Sequence, residues 1–178
     1  MAAARELALL GANCILLARN EVSLKEAINS LDTSKGQQHH YAVADFSNPD
    51  VVKKTSEEIL LKHTIHILVN NTGGPKPGPI IDADTDQFLH AFQQHVIVNQ
   101  LLTQAVVPGM KKQGYGRIIN IVSTSVKIPL NNLGVSNTIR GAVASWSKTM
   151  ANELGPFGIT VNNVLPGFTS TARLKSLA

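Results

Sequence analysis

Apolar residues fall in short bursts along this chain, and stretches of helical periodicity separate the bursts. Cys14 to Leu17, His40 to Ala44, Ile65 to Val69, Ile118 to Val122 and Ile159 to Leu165 have the length and near-continuous apolar character of buried strands. Residues 2–10 and 22–31, a segment opening at Asn48-Pro49, a long stretch from Asp84 to Gly114, and residues 136–154 read as helices. The boundaries carry capping chemistry. Gly11 suits a helix C-terminus, Asn48 an N-cap with Pro49 in the first turn, and Asp84 with Gln87 a capping box. Gly155-Pro156 stops the last helix. Five strands, each followed by a helix before the next, predict a parallel sheet with helices on both faces, in a single α/β domain over residues 1–178.

The chain's 178 residues are enough for one sizeable core, and 43% hydrophobic against 16% charged residues excludes a disordered chain. Net charge is +4, from 16 basic and 12 acidic side chains. The basic residues are scattered, in runs no longer than a pair such as Lys111-Lys112. That argues against nucleic acid and suits a small anionic ligand. The single cysteine, Cys14, excludes a disulfide within the chain, so a reducing, cytoplasmic setting is expected. No apolar stretch is long enough for a bilayer, and Arg5 and Glu6 interrupt the N-terminal one, so neither membrane insertion nor a signal peptide is expected. His39 and His40 would point to opposite strand faces, and the spacing of His90 and His95 does not suit one helix face; no metal site is predicted.

Parallel sheets bind ligands beyond the carboxyl ends of their strands. Those ends here read Ala18-Arg19-Asn20, Asp45-Phe46, Asn70-Asn71-Thr72-Gly73-Gly74, Ser123-Thr124-Ser125 and Pro166-Gly167-Phe168-Thr169-Ser170-Thr171. Five consecutive ends made of small, polar and glycine residues suit an extended ligand lying across the sheet edge.

Three segments, "ILVNNTGG", "GRIINIVSTS" and "NELGPFGITVNNVLPGFTST", make the chain resemble a short-chain dehydrogenase/reductase, close to the bacterial 3-oxoacyl-acyl-carrier-protein reductases. The similarity covers nearly the whole chain. It implies a Rossmann-like doubly wound parallel sheet lacking the first strand and the C-terminal strand. It also implies NADP-dependent reduction of a carbonyl, of 3-oxoacyl type, to a secondary alcohol, on a small-molecule or acyl-thioester substrate. Arg19 would meet the adenosine ribose, where a basic residue favours the 2′-phosphate of NADP over NAD. Asp45 and Phe46 would hold the adenine, and Asn71 and Gly73 would line the ribose side. Pro166 and Gly167 would lead to Thr169 and Thr171 beside the nicotinamide, and Ser123 would bond the substrate oxygen. Helices 84–113 and 136–154 would form homo-oligomer contacts, with Trp146 in the contact or in the core.

One part of the pattern differs. The family's acid is a tyrosine thirteen residues past that serine, followed four later by a lysine; residues four apart share a helix face, so the ammonium lowers the phenol pKa. Here the two positions are Ser136 and Arg140. Tyr41 and Tyr115 lie too far off in the pattern to substitute. A serine hydroxyl is far less acidic than a phenol, and a guanidinium keeps its proton while still able to bind a ribose. The family's helix asparagine, which helps anchor a water relay, aligns with His95, a residue able to pass protons. Ser123, Ser136 and Asn137 are candidate donors to a developing alkoxide, with solvent supplying the proton.

The resemblance also implies a strand and a Gly-rich phosphate loop ahead of Met1, and substrate-covering elements after Ala178. The chain is therefore expected to be a piece of a longer product. Its sheet is expected either to close around the gap between residues 14–17 and 65–69 or to split in two. Two further readings follow: a non-catalytic member of the fold acting as an assembly partner, and a fragment without function.

Overall fold

Side chains at the helix ends set the element boundaries. Asn48 accepts a hydrogen bond from Val51 N and Pro49 fills the first turn of α3 (Pro49–Leu60). Asn20 caps α2 (Glu21–Asn29) through Ser23 N at 2.9 Å. The turn after α1 (Ala2–Leu9) places Gly11 at φ 101, and α5 (Val98–Gln113) ends on Gly114 at φ 64. The expected capping box does not form. Asp84 precedes α4 (Thr85–Phe92) without a side-chain bond, and Gln87 donates only its backbone N–H to the Asp84 carbonyl, at 3.1 Å. The long predicted helix runs from α4 through a π-helical turn at Gln93–Ile97 into α5.

The computed structural model describes residues 1–167. Five strands alternate with the helices: β1 (Ile15–Ala18), β2 (His40–Val43), β3 (Ile67–Asn70), β4 (Gly116–Ile121) and β5 (Ile159–Val164). α6 (Gly134–Leu154) lies between β4 and β5. Every strand pair is parallel. The strands form two sheets, β1–β2 and β3–β4–β5. Of the two outcomes expected for the sheet, splitting is the one found.

Continuous apolar strands predict burial on both faces, and only β4, flanked by β3 and β5, approaches it. β1 and β2 are partly buried or exposed, and β5 leaves Thr160, Asn162 and Val164 exposed. Helices lie on both faces of the β1–β2 sheet. Leu17 faces a cluster made by Val52 of α3 with Val98 and Leu102 of α5, while Cys14, three residues earlier, packs with Ala8 of α1 and Ile28 of α2. Leu68 of β3 joins the cluster that holds Leu17, so one apolar layer carries both sheets. A second core joins Met110 of α5, Leu154 of α6, Ile118 of β4 and Ile159 of β5.

A buried polar chain crosses the three-stranded sheet. Asn70 Nδ2 donates to Asn120 Oδ1 at 2.8 Å, and Asn120 Nδ2 donates to Ser147 Oγ at 2.8 Å. The Ser147 proton is shared between the Val143 carbonyl at 2.7 Å and Asn163 Oδ1 at 2.8 Å. These bonds tie β3, β4 and β5 to α6 in a place where an unpaired group would be costly. Ser147→Ala would strand the Asn120 amide. The expected loss is about 1–3 kcal/mol, read as a lower urea midpoint at unchanged slope. An unmoved midpoint would show that the chain of bonds contributes nothing net.

Candidate active site

The ends of β1, β2 and β3 open into one cleft of about 790 Å³, a volume ordinary for small-molecule sites. Leu17 to Arg19 follow from β1, Ala44 to Phe46 from β2 and Asn71 to Lys76 from β3, and α4 closes the far wall with Asp86, Gln87 and His90. Five residues singled out in the sequence, Arg19, Asp45, Phe46, Asn71 and Gly73, therefore meet in one cavity. Lys76, His90 and Gln94 stand in the same walls. The place of His90 and Gln94 depends on how α4 and the π-helical turn fold back over the strand ends, which sequence spacing does not show.

Arg19 and Asn71 are exposed at the cleft. Asp45 accepts from Ser47 N at 2.9 Å and from Ser47 Oγ at 2.8 Å. The bond from the Ser47 backbone, then that from its hydroxyl, hold the Asp45 carboxyl below the usual carboxylate range, and Arg19 and His90 add to the effect. A Cβ added at Gly73 would meet open space. Gln93 Nε2 donates to the Ser47 carbonyl at 2.7 Å and anchors the π-helical turn to the loop after β2.

A second group of residues sits beyond β4. Ser123 Oγ accepts from Ser125 N at 3.1 Å, which fixes the turn and leaves the Ser123 proton available. Arg140 Nη1 donates to the Ile121 carbonyl at 2.7 Å and so pins the second turn of α6 to the end of β4. Ser136, four residues earlier, shares that helix face. It is half-buried and makes no side-chain hydrogen bond among the described residues. The start of α6 is held by close approach. Gly78 bridges Leu133, and a Cβ at Gly134 would overlap Ile80, so only glycine fits there. Asn137 donates to the Leu130 carbonyl at 2.8 Å. Thr124 N donates to the Pro166 carbonyl at 3.1 Å, placing Pro166 and Gly167 beside the Ser123 turn rather than in the cleft walls. Thr169 and Thr171 lie outside the described residues.

His95 lies in the π-helical turn and is 2% exposed. Such a turn adds a residue to the helix and rotates side chains out of the regular register. Its Nδ1 shares a hydrogen bond with Thr72 Oγ1, and Nε2 has no hydrogen-bond partner among the described residues. Burial, and then the charge of Arg140, push the imidazole down to about 4, against a smaller opposing effect from the Gly73 backbone. Thr72 also lines the cleft, so it links the cleft to the buried ring of His95. No helix among the described residues is long and apolar enough to cross a membrane.

A family model described as short chain dehydrogenase matches residues 1–178. The 2-dehydro-3-deoxy-D-gluconate 5-dehydrogenase of Bacillus subtilis (strain 168) is 29% identical over 175 residues, 96% of this chain and 67% of that protein. The D-xylose 1-dehydrogenase of Caulobacter vibrioides is 33% identical over 136 residues, 75% of this chain and 52% of that protein. Among solved structures, L-sorbose reductase from Gluconobacter frateurii, complexed with NADPH and L-sorbose, superposes with a TM-score of 0.89 at 30% identity. That match covers 96% of this chain and 65% of the other. The chain thus spans about half to two thirds of the length of the curated relatives it matches.

The buried imidazole has a consequence for stability. A histidine in an unfolded chain titrates near about 6.5, and in the fold His95 is pushed down to about 4. As pH falls through the upper value, the unfolded chain gains a proton that the folded chain refuses. Stability therefore drops as pH goes from about 6.5 to about 4, by on the order of 3 kcal/mol, and the drop then levels off. Urea denaturation across that window should show it, and the same series on His95→Asn should lack it.

Proposed function

This chain belongs to the short-chain dehydrogenase family, and we propose on that premise that it is the cofactor-binding part of an NADP-dependent oxidoreductase that interconverts a carbonyl and a secondary alcohol. The observation that carries the reading is the cleft across three parallel strand ends, with Arg19, Asp45, Phe46, Asn71 and Gly73 in its walls. These residues fit a dinucleotide. Arg19, with Lys76 in the same walls, offers positive charge to a phosphorylated ribose. Asp45 keeps one carboxylate oxygen free of the Ser47 bonds for a donor on the base. Asn71 and the unobstructed Gly73 suit close approach of a ribose. The proposed ligand set also includes Pro166, Gly167, Thr169 and Thr171 at the nicotinamide end and Arg140 toward the ribose. NADP is favoured over NAD because of Arg19.

When bound, the nicotinamide group supplies hydride chemistry; the chain's own residues prepare the oxygen that reacts. In this reading Ser123 donates its proton in a hydrogen bond to that oxygen, and Ser136 gives a second hydroxyl from the first turns of α6. Arg140 holds a fixed positive charge at the junction of α6 and β4, since a guanidinium retains its proton. Together they stabilise developing negative charge. The substrate would be a ketone or secondary alcohol in a reducing, cytoplasmic setting. The 3-oxoacyl thioester implied by the sequence and the sugar substrates named for the relatives both present that group, and a panel holding both classes separates them.

The absence of a phenol at Ser136 favours a second reading, a non-catalytic partner that retains the cleft. Either protein would associate with itself through α5 and α6, where a groove of about 330 Å³ is lined by Thr103, Val107, Pro108 and Met150. Trp146 Nε1 donates to Gln100 Oε1 at 2.7 Å and locks the two helices together there. Light scattering at micromolar concentration should report a dimer or larger species; a monomer removes the oligomer.

Fluorescence titration with NADPH and NADH tests the cofactor. We expect saturable NADPH binding that Arg19→Ala weakens by roughly tenfold, the loss of one charge-assisted contact, with NADH unaffected. Preference for NADH would remove the role of Arg19. No binding of either by the folded chain would remove the oxidoreductase reading. If binding holds, Ser123→Ala should lower turnover by roughly a hundredfold with little change in cofactor affinity; unchanged turnover would leave the partner reading.

A further inference from the structure

Besides Ser123, two hydroxyls near the site, those of Ser136 and Thr72, are candidates to deliver a proton, and the structure treats them differently. Ser136 has no base behind it: its side chain makes no hydrogen bond among the described residues. Thr72 has one. Its Oγ1 is bonded to His95 Nδ1 while the same residue lines the cleft. The ring behind it is 2% exposed and has a second nitrogen, Nε2, with no hydrogen-bond partner among the described residues. Buried polar atoms are paired in the great majority of cases, so an orphan on an enclosed imidazole marks a place where a proton donor or acceptor is to be met. The ring is brought there by the π-helical turn, an irregularity that the fold keeps in the middle of its longest helical run.

We infer that Thr72 and His95 form a two-residue proton relay, with Thr72 as the member that meets the ligand, in the oxidoreductase proposed above; the inference rests on that reading. The relay balances without forming an imidazolium. In the reducing direction the ligand oxygen at the cleft takes the Thr72 hydroxyl proton. Thr72 Oγ1 takes the proton from His95 Nδ1, and the enclosed Nε2 takes one from solvent through a water that reaches it. One O–H bond is made on the ligand for the one solvent proton consumed, and the ring ends neutral in its other tautomer. Oxidation runs the same path backwards. A ring kept neutral suits this use, because either nitrogen can then accept while the other donates. The groups facing the ring agree with it. Arg140 on α6 is the charged group that acts on it, opposing a cationic ring, and Thr72 and the Gly73 backbone face it from the loop after β3. Thr72 is also what distinguishes this loop from the alanine of the resembled family motif, which has no hydroxyl to offer.

The test uses the full chain labelled with ¹⁵N-histidine, in the wild type, Thr72→Val and Thr72→Ser. Valine keeps the branched shape and removes the hydroxyl; serine keeps the hydroxyl. Without any ligand, the ¹⁵N shift of His95 Nδ1 should report a hydrogen bond in the wild type and in Thr72→Ser, and its loss in Thr72→Val. With NADPH and a turned-over substrate, Thr72→Val should lower kcat by roughly a hundredfold, in the range of a lost general acid–base group. KM and NADPH affinity should stay within about twofold, and Thr72→Ser should restore most of kcat. An Nδ1 shift unchanged in Thr72→Val overturns the relay, as does unchanged kcat or equal damage by both variants. If the wild type binds no nicotinamide cofactor, the proposed function fails by itself, and the proton relay inferred to serve it falls as well; the nitrogen shifts then report only whether the Thr72–His95 bond forms.

Discussion

Val52 of α3 and Val98 of α5 are fully enclosed, and the layer they form is what makes one body of two sheets. No ladder of backbone hydrogen bonds joins β1–β2 to β3–β4–β5 among the described residues. Leu17 from one sheet and Leu68 from the other pack on the same apolar layer instead. Each fully buried side chain of this size contributes about 1.5–3 kcal/mol of transfer free energy. Apolar packing lacks the directionality of a hydrogen-bonded ladder, yet it sets the distance between the strand ends. The cleft straddles that seam, with Arg19 and Asp45 on one side and Asn71 to Lys76 on the other. Its shape is therefore a product of packing between α3 and α5.

Around the cleft, polar contacts convert strand ends into fixed positions. Ser47 holds Asp45, Gln93 holds the Ser47 carbonyl, and Arg140 fastens α6 to the carbonyl of Ile121. The last contact decides what Arg140 can do. A guanidinium committed to a backbone carbonyl is a placed charge, and it acts on its surroundings through its field. The depressed imidazole of His95 is one effect of that field, after burial itself. With Ser136 and Arg140 at the turns of α6 that face the end of β4, the depressed imidazole stands outside that helix, in the π-helical turn.

Family membership was legible in the sequence because strand-end segments such as Asn70 to Gly74 and Ser123 to Ser125 are short and contiguous. The five strands and their helices were legible for a related reason: periodicity is a local property, and each element lies within two residues of its apolar pattern. Asn48 shows local chemistry acting as expected, one side chain bonding one nearby N–H. Asp84 shows its limit. The residue stands at the N-cap but makes no cap bond, since its own chain entry, not its identity, aims the carboxylate.

Sequence by itself determined the alternation of strands and helices, the fold class, and the meeting of Arg19, Asp45, Phe46, Asn71 and Gly73 at strand ends, because topology sends every parallel strand's carboxyl end to the same side. Tertiary structure alone decided the split into two sheets, the wall that α4 adds to the cleft, and the bond between Thr72 and His95. The physical reason is the same in each case. A contact between residues 23 positions apart depends on where a π-helical turn rotates a side chain and on how α3 and α5 pack. Those are sums over many weak, non-local interactions that no single stretch of sequence contains.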